Sequence, residues 1–184
     1  MKNLRYRIFR ATQVGDYKRA RSLQKLLLRS YANRLLSVRR VTQINAGKNT
    51  AGVDRVLMKT AKSRSQLVDS LQGNPLWQAQ PARRIYVPKA NGKQRPLGIP
   101  TIRDRVRQAM VKAALEPEWE AKFEATSYSF RPGRSCQDAL GKLQQLCCPH
   151  RSKPWVLDAD IKGCFDHIDH DFLLEVIGLF PGRT

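Results

Sequence analysis

The sequence predicts an α+β protein, and three observations predict it. Apolar residues recur at three- and four-residue steps from Ala20 to Val41, which is a helical period. Two extended runs flank Asn91-Gly92, a pair that favours the positive φ of a tight hairpin turn. A short apolar run, Trp155 to Ile161, has the length and flanks of a strand and carries Asp158 and Asp160 near its end.

The elements follow in order. Gly15-Asp16 opens the longest helical pattern, with Asp16 as N-cap and Ala20, Leu23, Leu27, Tyr31, Leu35, Val38 and Val41 as the inward stripe. It predicts one long amphipathic helix or a kinked pair ending by Gly47. Gly47 to Asp54 reads as a loop, and Ser65 to Gln72 as a short helix stopped by Gly73-Asn74-Pro75. The runs Arg84 to Lys89 and Lys93 to Ile99 form the hairpin; Pro88 and Pro96 remove ladder donors, which suits an edge ribbon. Thr101 and Asp104 resemble a capping box for a helix that buries Ile102, Val106, Ala109, Met110 and Ala113. Pro117 stands where a further helix could start. Ser135 and Asp138 form a second capping box, with Ala139, Leu140, Leu143 and Leu146 as the expected buried stripe. Asp169 caps a last helix from His170 to Ile177, stopped by Gly178.

Charge narrows the function. The 184 residues carry 34 Lys+Arg against 15 Asp+Glu, a formal net charge of +19. Residues 1–112 hold 26 basic and 4 acidic side chains, whereas 113–184 hold 8 and 11. Such a basic half points to a polyanionic partner, because phosphate neutralisation releases counterions. Arg21, Lys25, Arg29, Arg34, Arg39 and Arg40 lie away from the apolar stripe, and Asp16 is the only acid before Asp54. They are candidate RNA contacts, against the alternative of a merely solvated charged face. Arg131 and Arg134 precede a helix start, where a phosphate could use both the guanidinium groups and the exposed amides. Arg103, Arg105 and Arg107 crowd another helix start, unfavourably unless phosphate or solvent faces them.

No apolar stretch reaches the roughly 20 residues of a membrane helix, and the start MKNLRYRIFR lacks the apolar core of a signal peptide. A cytoplasmic protein without membrane partners is the expectation. Cys136, Cys147, Cys148 and Cys164 have no metal-binding spacing and read as thiols. Asp158 and Asp160, two apart on a strand, share a face, so a divalent cation or hydrogen bonds must offset their repulsion. Asp160 and the Ile161 carbonyl, beside a turn at Lys162-Gly163, present oxygen ligands suited to Mg²⁺. His167 and His170 read as surface histidines near a helix start.

RRIYVPKANGKQRPLGIPTIRDR (83–105), SYSFRPGRSCQDAL (127–140) and DADIKGCFDHIDH (158–170) resemble, in that order, the fingers and first palm motifs of group II intron reverse transcriptase/maturases. Residues 15–54 resemble the N-terminal segment of the same proteins. The resemblance implies a basic helical segment at 1–54, fingers at 55–150 and the start of a palm at 151–184, part of a right-hand polymerase fold. It implies Asp160 as a catalytic, Mg²⁺-binding aspartate assisted by the Ile161 carbonyl. Phe165 becomes the residue that packs under the incoming sugar, and Lys89 and Arg95 the pair that grips the triphosphate. His167 stands where many relatives have Asn. The family's Tyr-x-Asp-Asp turn has no counterpart, since the sequence contains no adjacent aspartates. The expectation is therefore an N-terminal part of an RNA-directed DNA polymerase, inactive alone, that binds template or intron RNA and pairs with a C-terminal reverse transcriptase fragment. The alternative is an RNA-binding module without catalysis.

Overall fold

The computed structural model describes residues 1–73, 78–88, 92–147, 155, 157–161, 163–164 and 167–177. Its helices and single hairpin give the mixed helix and sheet composition expected. The chain divides into two units, 1–118 and 119–184.

The first unit begins with α1 (Lys2–Gln13), which the sequence reading did not anticipate. It buries Ile8, Ala11 and Thr12. Helix α2 (Tyr17–Arg29) starts where expected: the Asp16 carboxylate accepts the Arg19 amide at 2.9 Å. Its inward residues are Ala20, Leu23, Gln24 and Leu27.

The long helical pattern breaks at Ser30, which adopts an extended conformation (φ −66°, ψ 128°), so α3 (Tyr31–Arg39) begins in a new phase. Tyr31 and Leu35, expected inside, are 57% and 43% exposed, while Asn33 and Ser37 are buried instead. Asn33 explains the break. Its Nδ2 donates to the Leu27 carbonyl at 3.1 Å, satisfying a helix-end acceptor of α2, and to the Met110 carbonyl at 3.3 Å. After α3 the helix widens into a π-turn, Arg40–Ile44, closed by the Asn45 amide donating to the Arg40 carbonyl at 2.9 Å.

Helix α4 (Ala61–Ser70) is capped by Thr60 and Ser63 in a reciprocal box. The hairpin pairs β1 (Arg83–Pro88) antiparallel with β2 (Gln94–Ile99), with Arg95 opposite Val87. At its turn Gly92 has φ +75°, the left-handed conformation that the Asn-Gly signal anticipates; Asn91 lies outside the described residues.

Helix α5 (Ile102–Lys122) runs 21 residues without a break, and Pro117 sits inside it rather than opening a new helix. Two apolar clusters meet it in the first unit. Ile8, Leu23, Leu27 and Ala114 join α1 and α2 to α5. Val38, Val41, Leu67, Val68, Leu71, Ile102 and Val106 join α3, the π-turn and α4 to its N-terminal half. The 47–54 loop packs on the start of α5: Gly52 is buried, and a Cβ there would lie 2.6 Å from the Thr101 Cα. Arg105 donates to the Gly47 carbonyl at 2.8 Å and to the Thr50 carbonyl. Burial lowers the Arg105 pKa, with Asp54 opposing. Arg103 donates to the Ser70 carbonyl at 3.4 Å. These two arginines hold backbone in place, a use not foreseen when phosphate or solvent was expected to face them.

In the second unit, α6 (Cys136–Cys147) starts with the anticipated capping box. Asp138 accepts from the Ser135 amide (2.8 Å) and hydroxyl (2.7 Å), and the Asp138 amide donates back to the Ser135 hydroxyl at 3.3 Å. Its expected buried stripe is not buried. Leu140, Leu143 and Leu146 are 59%, 51% and 36% exposed, because no described element packs over them.

The run Trp155 to Ile161 forms no strand among its described residues. A strand is held by its ladder, and no described segment pairs with this one. Helix α7 (His170–Ile177) begins as predicted, Asp169 accepting from the Asp171 and Phe172 amides at 2.9 and 3.1 Å. Gly178 lies outside the described residues. Among the described residues no helix is long and apolar enough to cross a membrane.

Candidate nucleic-acid interface

On α2, Arg21, Lys25 and Arg29 recur every four residues and are all exposed, so they form one row with steps of about 6 Å along the helix axis. No acidic side chain pairs with them among the described residues. The nearby acid, Asp16, is occupied in capping α2. Arg39 and Arg40 are exposed at the junction of α3 and the π-turn. Arg34 differs: it is half-buried, its guanidinium lies 5.5 Å from the Tyr31 ring centroid, and its Nε is buried without a partner. Arg95 is exposed on β2; Lys89 lies outside the described residues.

The loop between α5 and α6 corrects one expectation. Arg131 does not present its guanidinium to a phosphate. It is 9% exposed and grips Glu120 through Nε (3.1 Å) and Nη2 (2.7 Å), while Nη1 donates to the carbonyls of Glu124 and Ser127. The bond to Glu120 raises the Arg131 pKa and keeps the group charged. The Phe123 ring lies beneath it, 5.3 Å from ring centroid to guanidinium carbon. Arg131 therefore clamps the loop. Phe130, next to it, has φ +60° and a fully exposed ring.

Arg134 remains at the surface, 5.5 Å over the Tyr128 ring. Beside this pair is a pocket of about 480 Å³, lined by Tyr128, Arg134, Gln137, Asp138, Lys142 and Gln145 with Gly133 and Gly141. Its α6 residues recur at three- and four-residue steps and so share one face of the helix. Sequence reading missed Gln137, Lys142 and Gln145; their spacing around Gly141 was the available signal. Asp138 is held ionised, its pKa lowered by the bonds from Ser135.

Asp158 and Asp160 are exposed in irregular backbone, and Ile161 is exposed beside them. Among the described residues no three His, Cys, Asp or Glu side chains gather as a metal site. Asp160 and the Ile161 carbonyl are oxygen donors of the kind Mg²⁺ takes, but two donors do not enclose the ion, which normally adds waters and substrate phosphates. Phe165 lies outside the described residues. His167 turns its Nδ1 to the Gly163 carbonyl at 2.8 Å, folding the turn after Asp160 on itself.

Residues 1–71 match the N-terminal domain of reverse transcriptase, and residues 87–183 match the reverse transcriptase (RNA-dependent DNA polymerase) family. The chain is 40% identical over 141 residues to the group II intron-encoded protein LtrA of Lactococcus lactis subsp. cremoris, covering 73% of this chain and 22% of that protein. It is 38% identical over 149 residues to protein YkfC of Escherichia coli K12, covering 78% of this chain and 39% of that protein. Maturase-like protein 1 of Euglena gracilis is 32% identical over 173 residues, covering 92% of this chain and 38% of that protein. The chain thus spans well under half the length of these relatives. With both reverse transcriptase profiles matched in order, the chain belongs to the group II intron reverse transcriptase/maturase family.

Proposed function

We propose that this chain is the RNA-gripping N-terminal part of a group II intron RNA-directed DNA polymerase/maturase. The observation that carries the reading is the row Arg21, Lys25 and Arg29 on α2, unpaired among the described residues, together with the exposed Arg39 and Arg40. Each is an exposed cation free to neutralise a phosphate of template or intron RNA. Arg34 adds charge within the same unit, Arg134 contributes a cation in the second unit, and Arg95 with Lys89 would meet the triphosphate of an incoming nucleotide. Asp160 and the Ile161 carbonyl contribute part of an Mg²⁺ site, and Phe165 packs under the sugar. Two-metal phosphoryl chemistry needs carboxylates beyond Asp160, and these 184 residues hold no adjacent aspartates. A C-terminal reverse transcriptase fragment carrying Tyr-x-Asp-Asp would supply them.

The test measures RNA affinity against salt for the natural chain and for Arg21→Gln/Arg29→Gln/Arg39→Gln. Affinity falls steeply with salt, and the triple variant flattens the log–log slope by roughly two, given about 0.7–0.9 per phosphate. An unchanged slope overturns the reading. Adding the C-terminal fragment should give RNA-templated dNTP incorporation that Asp160→Ala abolishes. RNA binding without any incorporation favours a binding module instead.

A further inference from the structure

The hairpin has almost nothing to lean on. Along β1 only Ile85 and along β2 only Ile99 are half-buried, and every other strand residue is exposed. A two-stranded ribbon of this kind fixes its own twist, but with neither face packed on a core it does not fix its angle to the rest of the fold. That angle has to be set at the root.

Both ends of the root meet at Asp104. The Gln80 amide, three residues ahead of β1, donates to the Asp104 carboxylate at 3.3 Å. The Asp104 amide donates to the hydroxyl of Thr101, two residues past β2, at 3.1 Å. A complete capping box would return the carboxylate to the amide of the capping residue; that of Asp104 reaches instead to the incoming chain. There is little slack in either connection. Pro81 and Pro100 stand between the anchors and the strands with φ fixed by their rings, and a Cβ on Gly98 would lie 3.2 Å from that of Ala82.

The placement is a costly one. Asp104 is 2% exposed, and its Oδ1 is buried with no hydrogen-bond partner among the described residues. The dipole of α5 favours an acid in the first turn, but an exposed one would serve as well. Burial is needed only to reach Gln80. Burial and the neighbouring Arg103 lower the Arg107 pKa while Asp104 opposes them, so the carboxylate also favours a charged guanidinium at the same root.

We propose that Asp104 is the positioning residue of the hairpin: it ties the incoming and outgoing ends of the ribbon to the first turn of α5 and thereby fixes the direction in which Arg95 is presented. What that direction does for a nucleotide rests on the reading of Arg95 and Lys89 given above; the clamp itself does not.

Amide residual dipolar couplings of the isotope-labelled full chain test it. In the natural chain β1, β2 and α5 should fit one alignment tensor. Asp104→Ala should keep the cross-strand pairing but cut the order of the hairpin relative to α5 by about half. Asp104→Asn, whose side-chain carbonyl still accepts the Gln80 amide, should restore it. Gln80→Pro removes the donor from an exposed residue and should uncouple the hairpin at an unchanged urea midpoint, so the outcome does not hang on how well Asp104→Ala folds. Full coupling in Gln80→Pro or in a folded Asp104→Ala overturns the clamp, and so does a loss in Asp104→Asn equal to that in Asp104→Ala. A second measurement separates the two readings: with the C-terminal fragment added, Asp104→Ala should raise the KM for dNTP severalfold and leave kcat nearly unchanged. An uncoupled hairpin with unchanged KM, or with no incorporation by the natural pair, counts against the nucleotide reading and leaves the clamp standing.

Discussion

Gly52→Ala is the sharpest test of how the 47–54 loop is mounted. An added Cβ would lie 2.6 Å from the Thr101 Cα, 2.7 Å from its nitrogen and 2.9 Å from the Pro100 carbonyl carbon. Comfortable carbon contacts are about 3.5–4.0 Å, so the loop must retreat by roughly 1 Å. All three atoms are backbone, and no rotamer change relieves the clash. Overpacking of this kind costs about 1–3 kcal/mol. The retreat also draws the Gly47 and Thr50 carbonyls away from Arg105, loosening bonds to a charged donor worth about 1.5–3 kcal/mol each when intact. A total near 3 kcal/mol would lower Tm by about 6–12 °C in a chain of this size. Thermal unfolding followed by circular dichroism reads it. Gly141→Ala is the control: the same chemical change, in a helix with open space, should stabilise by about 0.5–1 kcal/mol. A Gly52→Ala midpoint within 2 °C of the natural chain, or the same sign for both variants, would refute this account of the loop.

Leu27 is fully buried between α1, α2 and α5, so Leu27→Ala should cost about 2–5 kcal/mol, read as a lower urea midpoint at unchanged m. Asp138 gives a pH dependence. Its folded pKa lies below the ordinary 3.8 because Ser135 donates to the carboxylate. The stabilisation is therefore fully present above about pH 4 and is lost as pH falls through the lower folded value. Protection factors of the α6 amides, corrected for the intrinsic pH dependence of exchange, should fall on acidification below 3.8, and Asp138→Asn should remove that dependence.

Local signals were legible in the sequence. Asp16, Ser135 and Asp169 each cap the helix they were expected to cap, because a cap needs only residues within one turn. The hairpin was legible for the same reason. What failed depended on distant residues. Asn33 is buried because it reaches Leu27 and Met110, and Met110 is 77 positions away. Its rotation of α3 put Tyr31 and Leu35 outside, although both fit the apolar period. Helix α1 went unread because its apolar residues are interleaved with Arg5, Arg7 and Arg10. The strand expected at 155–161 needed a partner strand that periodicity does not reveal. At the candidate site, helical period and charge placed the α2 cations away from the apolar stripe, and Arg21, Lys25 and Arg29 are exposed there. Arg131 was misassigned because its partner, Glu120, is eleven residues back, and the same Arg-rich loop hides one inward and one outward guanidinium.

That inward turn separates two quantities that a sequence merges. Arg131 is as cationic as Arg29, and at long range an approaching strand feels both. Nearly all of the Arg131 N–H donors are already committed, whereas those of Arg29 remain to be given when the strand arrives. Arg103 and Arg105 are likewise engaged with carbonyls. Encounter is therefore governed by all 34 basic residues, whereas residence time is governed by the smaller set whose donors remain unspent. The clamp at Arg131 lends its charge to the approach and withholds its hand from the grip.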